Sequence, residues 1–97
     1  MEKKSFDGWQ NFLDLCLQVS DKKTLSLLFD FFLTDNEKES IAMRLLIIQE
    51  LIAEKKPQRE IAHDLKVSIA KITRGSNELK RVEPKLLRLL QRNSNKK

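Results

Sequence analysis

Apolar positions recur at helical intervals along nearly the whole 97-residue chain, and no run of strict alternation competes as a strand. Phe6, Trp9, Leu13 and Cys16 fall on one face of a first helix over residues 1 to 20, with Phe12, Leu17 and Val19 widening the stripe. Asp21 is placed to cap a second helix over residues 22 to 32. Its Leu25, Leu27, Leu28, Phe29, Phe31 and Phe32, followed by Leu33, are too many for one narrow face, so the segment must be nearly surrounded. Thr34 followed by Glu37 makes a capping box that opens a third helix, running to residue 54. Nine of the twelve residues from 41 to 52 are apolar, broken only by Arg44, Gln49 and Glu50. A chain this small cannot cover both apolar segments itself. A second copy in a two-fold homodimer is the commonest closed solution.

Residues 57 to 80 read as two short helices joined by a tight turn. Pro57 suits the first helical position, and Ile61, Ala62 and Leu65 then share a face. Ser68 caps the next helix, which directs Ile69, Ile72 and Leu79, with Ala70, toward the core. So little intervening chain forces a steep crossing, the geometry of a helix-turn-helix that offers its second helix to a DNA major groove. Lys66 stands where the turn usually has glycine, and a left-handed backbone there costs roughly 1 kcal/mol. A plain helical hairpin accounts for the apolar spacing but not for the polar face of Gln58, Arg59, Lys66, Lys71, Thr73 and Arg74.

The second of these helices contains a local conflict. Gly75 alone costs about 1 kcal/mol against alanine inside a helix, and the weak helix formers Ser76 and Asn77 follow it. Such conflicts mark functional sites. A missing Cβ lets a flat group lie against the backbone, and Arg74 beside it can grip a carboxylate; the alternative is that the helix frays at Gly75. A last helix over residues 82 to 92, opened by Glu83 and Pro84, carries Leu86, Leu87, Leu89 and Leu90 on a broad apolar face, and residues 93 to 97 read as a basic, disordered tail. Residues 1 to 92 are therefore expected to form one all-α domain.

Charge sharpens this picture. The net charge of +5 is divided unevenly: residues 1 to 54 carry six Lys/Arg against ten Asp/Glu, and residues 55 to 97 carry thirteen against four. The half with the helix-turn-helix thus faces a polyanion. One cysteine, Cys16, can form neither an internal disulfide nor a zinc site, which suits a reducing cytoplasm. No stretch reads as a signal peptide, and no apolar run approaches the ~20 residues that span a bilayer. An enzyme is not expected, because the sequence holds no Gly-rich phosphate loop, no Cys/His metal spacing and no triad, and the sole histidine, His63, falls on the polar side of a helix.

The string ITRGSN at positions 72 to 77, with QRE at 58 to 60 and LTDNEKE at 33 to 39, resembles the Trp repressor family. The similarity runs from about residue 29 to residue 80 and is far more specific than a helix-turn-helix alone. It implies an intertwined all-helical homodimer with six helices per chain, in which L-tryptophan acts as corepressor and sets the heads for binding operator double-stranded DNA. By position, the resemblance implies that Arg44 and Arg74 sandwich the indole, Arg74 and Thr34 contact the carboxylate, and Gly75 leaves room for the ring edge. Backbone carbonyls near Phe31 and Leu33 of the other chain would receive the ammonium. Glu78 stands where well-known members have a serine. Its carboxylate either pairs with the ammonium or competes for Arg74 from one turn away on the same helix.

On the DNA side the resemblance maps Gln58 and Arg59 to backbone and groove contacts, with Lys66 and Val67 at the turn and Ile69, Ala70, Lys71, Thr73 and Lys80 on or beside the recognition helix. Arg59 is the candidate for a guanine contact. Trp repressors are themselves a standard example of water-mediated base readout, so the resemblance implies a wet interface. Lys71 replaces a common threonine and Ala62 a lysine, which redistributes phosphate contacts. The implied function is tryptophan-activated repression of genes for tryptophan biosynthesis or uptake. A dimeric helix-turn-helix module that ignores tryptophan is the alternative that Glu78, Lys66 and Lys71 keep open.

Overall fold

A computed structural model describes residues 2 to 94. They form six helices, α1 (Lys3–Leu17), α2 (Lys22–Phe32), α3 (Asp35–Ala53), α4 (Gln58–Leu65), α5 (Ile69–Lys80) and α6 (Pro84–Ser94), with no strand among the described residues. The all-α class and the six expected segments are thus observed. The chain divides into two compact units, one ending at Lys38 and one beginning at Glu39.

In the first unit the starts of α2 and α3 follow from side-chain caps. Asp21 Oδ2 accepts from the Thr24 N–H at 2.8 Å and starts α2. Thr34 and Glu37 form the reciprocal box that starts α3: the Glu37 N–H donates to Thr34 Oγ1 at 3.1 Å, and the Thr34 N–H to Glu37 Oε1 at 2.8 Å. These backbone N–H donors hold both carboxyls below their usual range. Lys38 Nζ donates to Asp30 Oδ1 at 2.6 Å, tying the end of α2 to the first turn of α3 and raising the lysine above its ordinary value. Phe12 gathers the aromatic residues, its ring lying 5.8 Å from Trp9, 6.2 Å from Phe29 and 5.3 Å from Phe32 between centroids. Even so, neither α1 nor α2 contains a buried residue. Trp9 is 49% exposed and Phe31 82%, so the expectation that α2 is surrounded is not met within one chain. The physical reason is supply: the unit has two and a fraction helices to cover apolar surface on all sides.

The second unit holds the buried core, made of Ile47 from α3, Ile61 and Ala62 from α4 and Ile72 from α5. Met43, Leu51, Leu65 and Val67 pack around it. Two expectations shift here. Pro57 serves as the N-cap of α4 with an extended ψ of 158°, its carbonyl accepting from Glu60 and Ile61, one residue earlier than expected. Ile69, expected in the core, is 49% exposed, and Ala70 is exposed too, because the tight turn lets only Ile72 of the first turn of α5 reach α4. Lys56 fixes the loop before α4, donating to Asp64 Oδ2 at 2.7 Å and lying 3.8 Å from Glu50 Oε2. The two charges shift each other, the lysine upward and the Asp64 carboxyl downward, through that hydrogen bond. At the other end, Gln49 Nε2 of α3 donates to Asn93 Oδ1 of α6 at 3.0 Å. Asn93 and Ser94, expected in the tail, are therefore helical, with Asn93 anchored to α3. Positions 95 to 97 of that expected tail lie outside the described residues.

Candidate functional site

The turn between α4 and α5 is built as its residues dictate. Lys66 takes the left-handed conformation, with φ 57° and ψ 44°, and its N–H donates to the His63 carbonyl at 3.2 Å. The Val67 N–H donates to the Ala62 carbonyl at 3.0 Å, closing the end of α4. Ser68 then caps α5, its Oγ accepting from the Lys71 N–H at a long 3.4 Å.

Most residues expected to meet DNA are left free by this geometry. Arg59, Lys66, Ile69, Ala70, Lys71, Thr73 and Lys80 are exposed, and none of these cations has a carboxylate partner among the described residues. Val67 differs: it is half-buried against the core. Gln58 is also half-buried, and its Oε1 accepts from the Thr73 hydroxyl at 3.3 Å. His63 is exposed, 3.6 Å from Asp64 through Nδ1.

The residues expected to hold a small ligand lie in both units. In the first, α2 ends at Phe32, and the carbonyls of Phe31 and Leu33 accept no backbone N–H from the described residues. Unsatisfied carbonyls at the negative end of a helix suit an ammonium group. Thr34 Oγ1 is used as the acceptor of its cap, which leaves the hydroxyl hydrogen available to donate.

In the second unit α5 runs unbroken through Gly75, so the helix does not fray there. A Cβ on Gly75 would stand 3.1 Å from Ile47 Cγ2, 3.3 Å from Leu51 Cδ1 and 3.6 Å from Ile48 Cδ1. The glycine therefore sets how closely α5 crosses α3, a role that the sequence did not disclose. Arg74 is its neighbour, and Arg44 stands one turn before Ile47 and Ile48 on α3. Both arginines are exposed and lack a carboxylate partner among the described residues. Arg44 is exposed in the single chain together with Ile41, Leu45 and Leu46 beside it. Glu78 neither competes for Arg74 nor stands alone: its Oε1 accepts from Arg81 at 3.0 Å, a partner that sequence reasoning missed. Among the described residues no cluster of His, Cys, Asp or Glu could hold a metal ion. No described helix is long and apolar enough to cross a membrane.

A family model described as Trp repressor protein matches residues 7 to 94. The chain belongs to the Trp repressor family. It is 46% identical over 96 residues to a Trp operon repressor homolog of Chlamydia caviae, covering 99% of this chain and 94% of the relative. It is 44% identical to the homolog of Chlamydia trachomatis serovar D, covering 95% and 98%, and 40% identical to that of Vibrio cholerae, covering 82% and 78%. The match to the Trp repressor model takes in α2 through α6 and most of α1, so it includes the turn at Lys66 and the crossing at Gly75. Within that frame, the Lys56–Asp64, Gln58–Thr73 and Glu78–Arg81 contacts are ones that sequence reasoning missed. Of these, only the Glu78–Arg81 pair had a signal, its i, i+3 spacing on one helix.

Proposed function

We propose that this protein is a DNA-binding transcriptional repressor, not an enzyme, whose operator binding is activated by L-tryptophan as corepressor in the cytoplasm. The observation that carries the reading is the α3–α5 crossing, where Arg74, without a carboxylate partner among the described residues, adjoins a glycine whose Cβ position lies 3.1 Å from Ile47 Cγ2 and 3.3 Å from Leu51 Cδ1. Arg74 offers a carboxylate clamp, and the close approach of Gly75 to Ile47 and Leu51 fixes where α5 presents it. Arg44 faces the indole from the opposite side, Thr34 donates to the carboxylate, and the Phe31 and Leu33 carbonyls of a second chain take the ammonium. Glu78 supports the ammonium from this chain, with Arg81 withdrawn from it when ligand binds.

The functional unit is an intertwined homodimer in which residues 1 to 92 act as one domain. Its support is the apolar surface left on a single chain: Phe6, Trp9, Leu27, Phe31, Phe32, Leu86 and Leu89 are all exposed. Helix-turn-helix dimers, Trp repressors among them, meet successive major grooves when their recognition helices stand about 34 to 36 Å apart. Tryptophan favours that spacing only by its differential affinity for the competent state, so DNA and tryptophan strengthen each other's binding equally. Arg59, Lys66, Lys71 and Lys80 supply the cationic face.

Calorimetric titration with L-tryptophan tests the reading. One saturable site per chain, lost in Arg74→Ala, together with tryptophan-dependent operator retention and a Tm that rises with protein concentration, is the expected result. A dimer that binds DNA equally with and without millimolar tryptophan would instead favour a ligand-independent module. The engagement of Glu78 by Arg81 is the observation on that side.

A further inference from the structure

The contact between Gln58 and Thr73 joins the first residue of α4 to the exposed face of α5 across fifteen positions of sequence. It is the one side-chain hydrogen bond between the two helices of the helix-turn-helix among the described residues. Its position is fixed from beneath. Gln58 lies one turn before Ala62 on the packed side of α4, and Thr73 follows Ile72, so the buried Ala62 and Ile72 hold the two side chains in register.

The chemistry of the contact is directional. The Thr73 hydroxyl donates to Gln58 Oε1 at 3.3 Å, which turns the amide so that the two Nε2 hydrogens are left to donate elsewhere. The hydroxyl takes one of the two lone pairs of that oxygen and so fixes which way the amide faces, with the Nε2 hydrogens presented as donors that match the N7 and O6 acceptors of guanine or phosphate oxygen. Gln58 heads α4, where the N-terminal backbone donors of the helix also favour an acceptor-rich, anionic partner.

We infer that Thr73 is a positioning residue, which acts on DNA through Gln58 by fixing its amide as a donor toward acceptor groups of the duplex. This rests on the DNA-binding reading above and assigns Thr73 a role other than direct contact.

A double-mutant cycle on the full-length protein with L-tryptophan tests it, using Thr73→Val, Gln58→Ala and the double variant. Binding is measured to operator duplex and to duplexes altered base by base. Valine keeps the shape of threonine and removes the donor. We expect Thr73→Val to weaken operator binding by about fivefold to tenfold, Gln58→Ala by at least as much, and the double variant by no more than Gln58→Ala. Thr73→Ser, which restores a hydroxyl, should recover most of the loss. If the lost affinity is confined to one base position, the acceptor is a guanine edge; if it is spread over all sequences with a shallower salt dependence, the acceptor is phosphate. Losses that add in the double variant would overturn the inference, because Thr73 would then touch DNA independently. So would wild-type affinity in Thr73→Val. Failure of the wild-type protein to prefer any duplex, with or without tryptophan, would overturn this inference and the DNA-binding reading together, and is distinguished by needing no variant at all.

Discussion

The position of a Cβ on Gly75 lies 3.1 Å from Ile47 Cγ2, and Ile47 is almost wholly buried. Adding one methyl group there brings two opposed effects. Alanine gains about 1 kcal/mol in helix propensity over glycine, while overpacking a core costs about 1 to 3 kcal/mol. Ile47 Cγ2 is a branch of a β-branched side chain and cannot swing aside without leaving its rotamer. Packing therefore wins, and Gly75→Ala should lower stability by about 1 kcal/mol, read as a lower urea midpoint with an unchanged slope. The loss is expected in the absence of tryptophan. An unchanged or raised midpoint would show that the α3–α5 crossing has room to spare.

Lys66 gives the opposite expectation. Its φ of 57° is strained for a residue with a Cβ, and Lys66→Gly relieves about 1 kcal/mol of that strain, partly offset by the greater freedom of glycine when unfolded. A net gain of about 0.5 kcal/mol is expected. If Lys66 also meets a phosphate, the same variant should reduce the slope of log affinity against log salt by about 0.9. Thermal melting and a salt titration on one preparation separate the two effects.

Acid should loosen particular helix ends before the core. Asp21, Glu37 and Asp64 all have carboxyls held below their ordinary range, the first two by backbone N–H donors of Thr24 and Thr34 and the third by Lys56. A depressed carboxyl stabilises the fold above its unfolded value and loses that contribution as pH falls through the folded one. Stability should thus be level near neutrality and decline below about pH 4. Far-UV circular dichroism at graded pH reads this, and Asp64→Asn should flatten part of the acid limb. Lys56 works the other way: its raised value keeps the pair intact until pH climbs past the usual lysine range.

Glu78→Ser should scarcely alter stability, since Glu78 and Arg81 form an exposed i, i+3 pair. Its effect should appear in ligand choice. If the carboxylate supports the ammonium, serine weakens L-tryptophan binding severalfold while leaving the affinity for the des-amino indole propionate nearly as it was. Equal affinities for both ligands before and after the change would remove Glu78 from the site.

What the sequence disclosed was mainly what neighbours in sequence decide. Asp21, Ser68 and the Thr34–Glu37 box are read within one turn of chain, and each occurs as a hydrogen bond. The left-handed Lys66 followed from the tightness of its turn. Apolar spacing was less decisive on α5, because Ile69 and Ile72 are equally apolar and only the crossing with α4 decides that Ile72 is buried while Ile69 is exposed. Gly75 stood out because it conflicts with its helix, and Arg74 as the cation beside it. The neighbours of Gly75 on α3 lie more than twenty positions away and left no local trace. Gln58 with Thr73 and Lys56 with Asp64 are nearer in sequence, yet each joins residues beyond the reach of a single helical turn.

From Ile69 to Thr73, α5 divides its residues between two tasks. Ile72 is wholly enclosed with Ile47, Ile61 and Ala62, whereas Ile69, Ala70, Lys71 and Thr73 around it are exposed. The outward positions are thus open to replacement at little cost to folding. A lineage carrying this chain can drift toward a new operator one outward residue at a time, and each intermediate still folds.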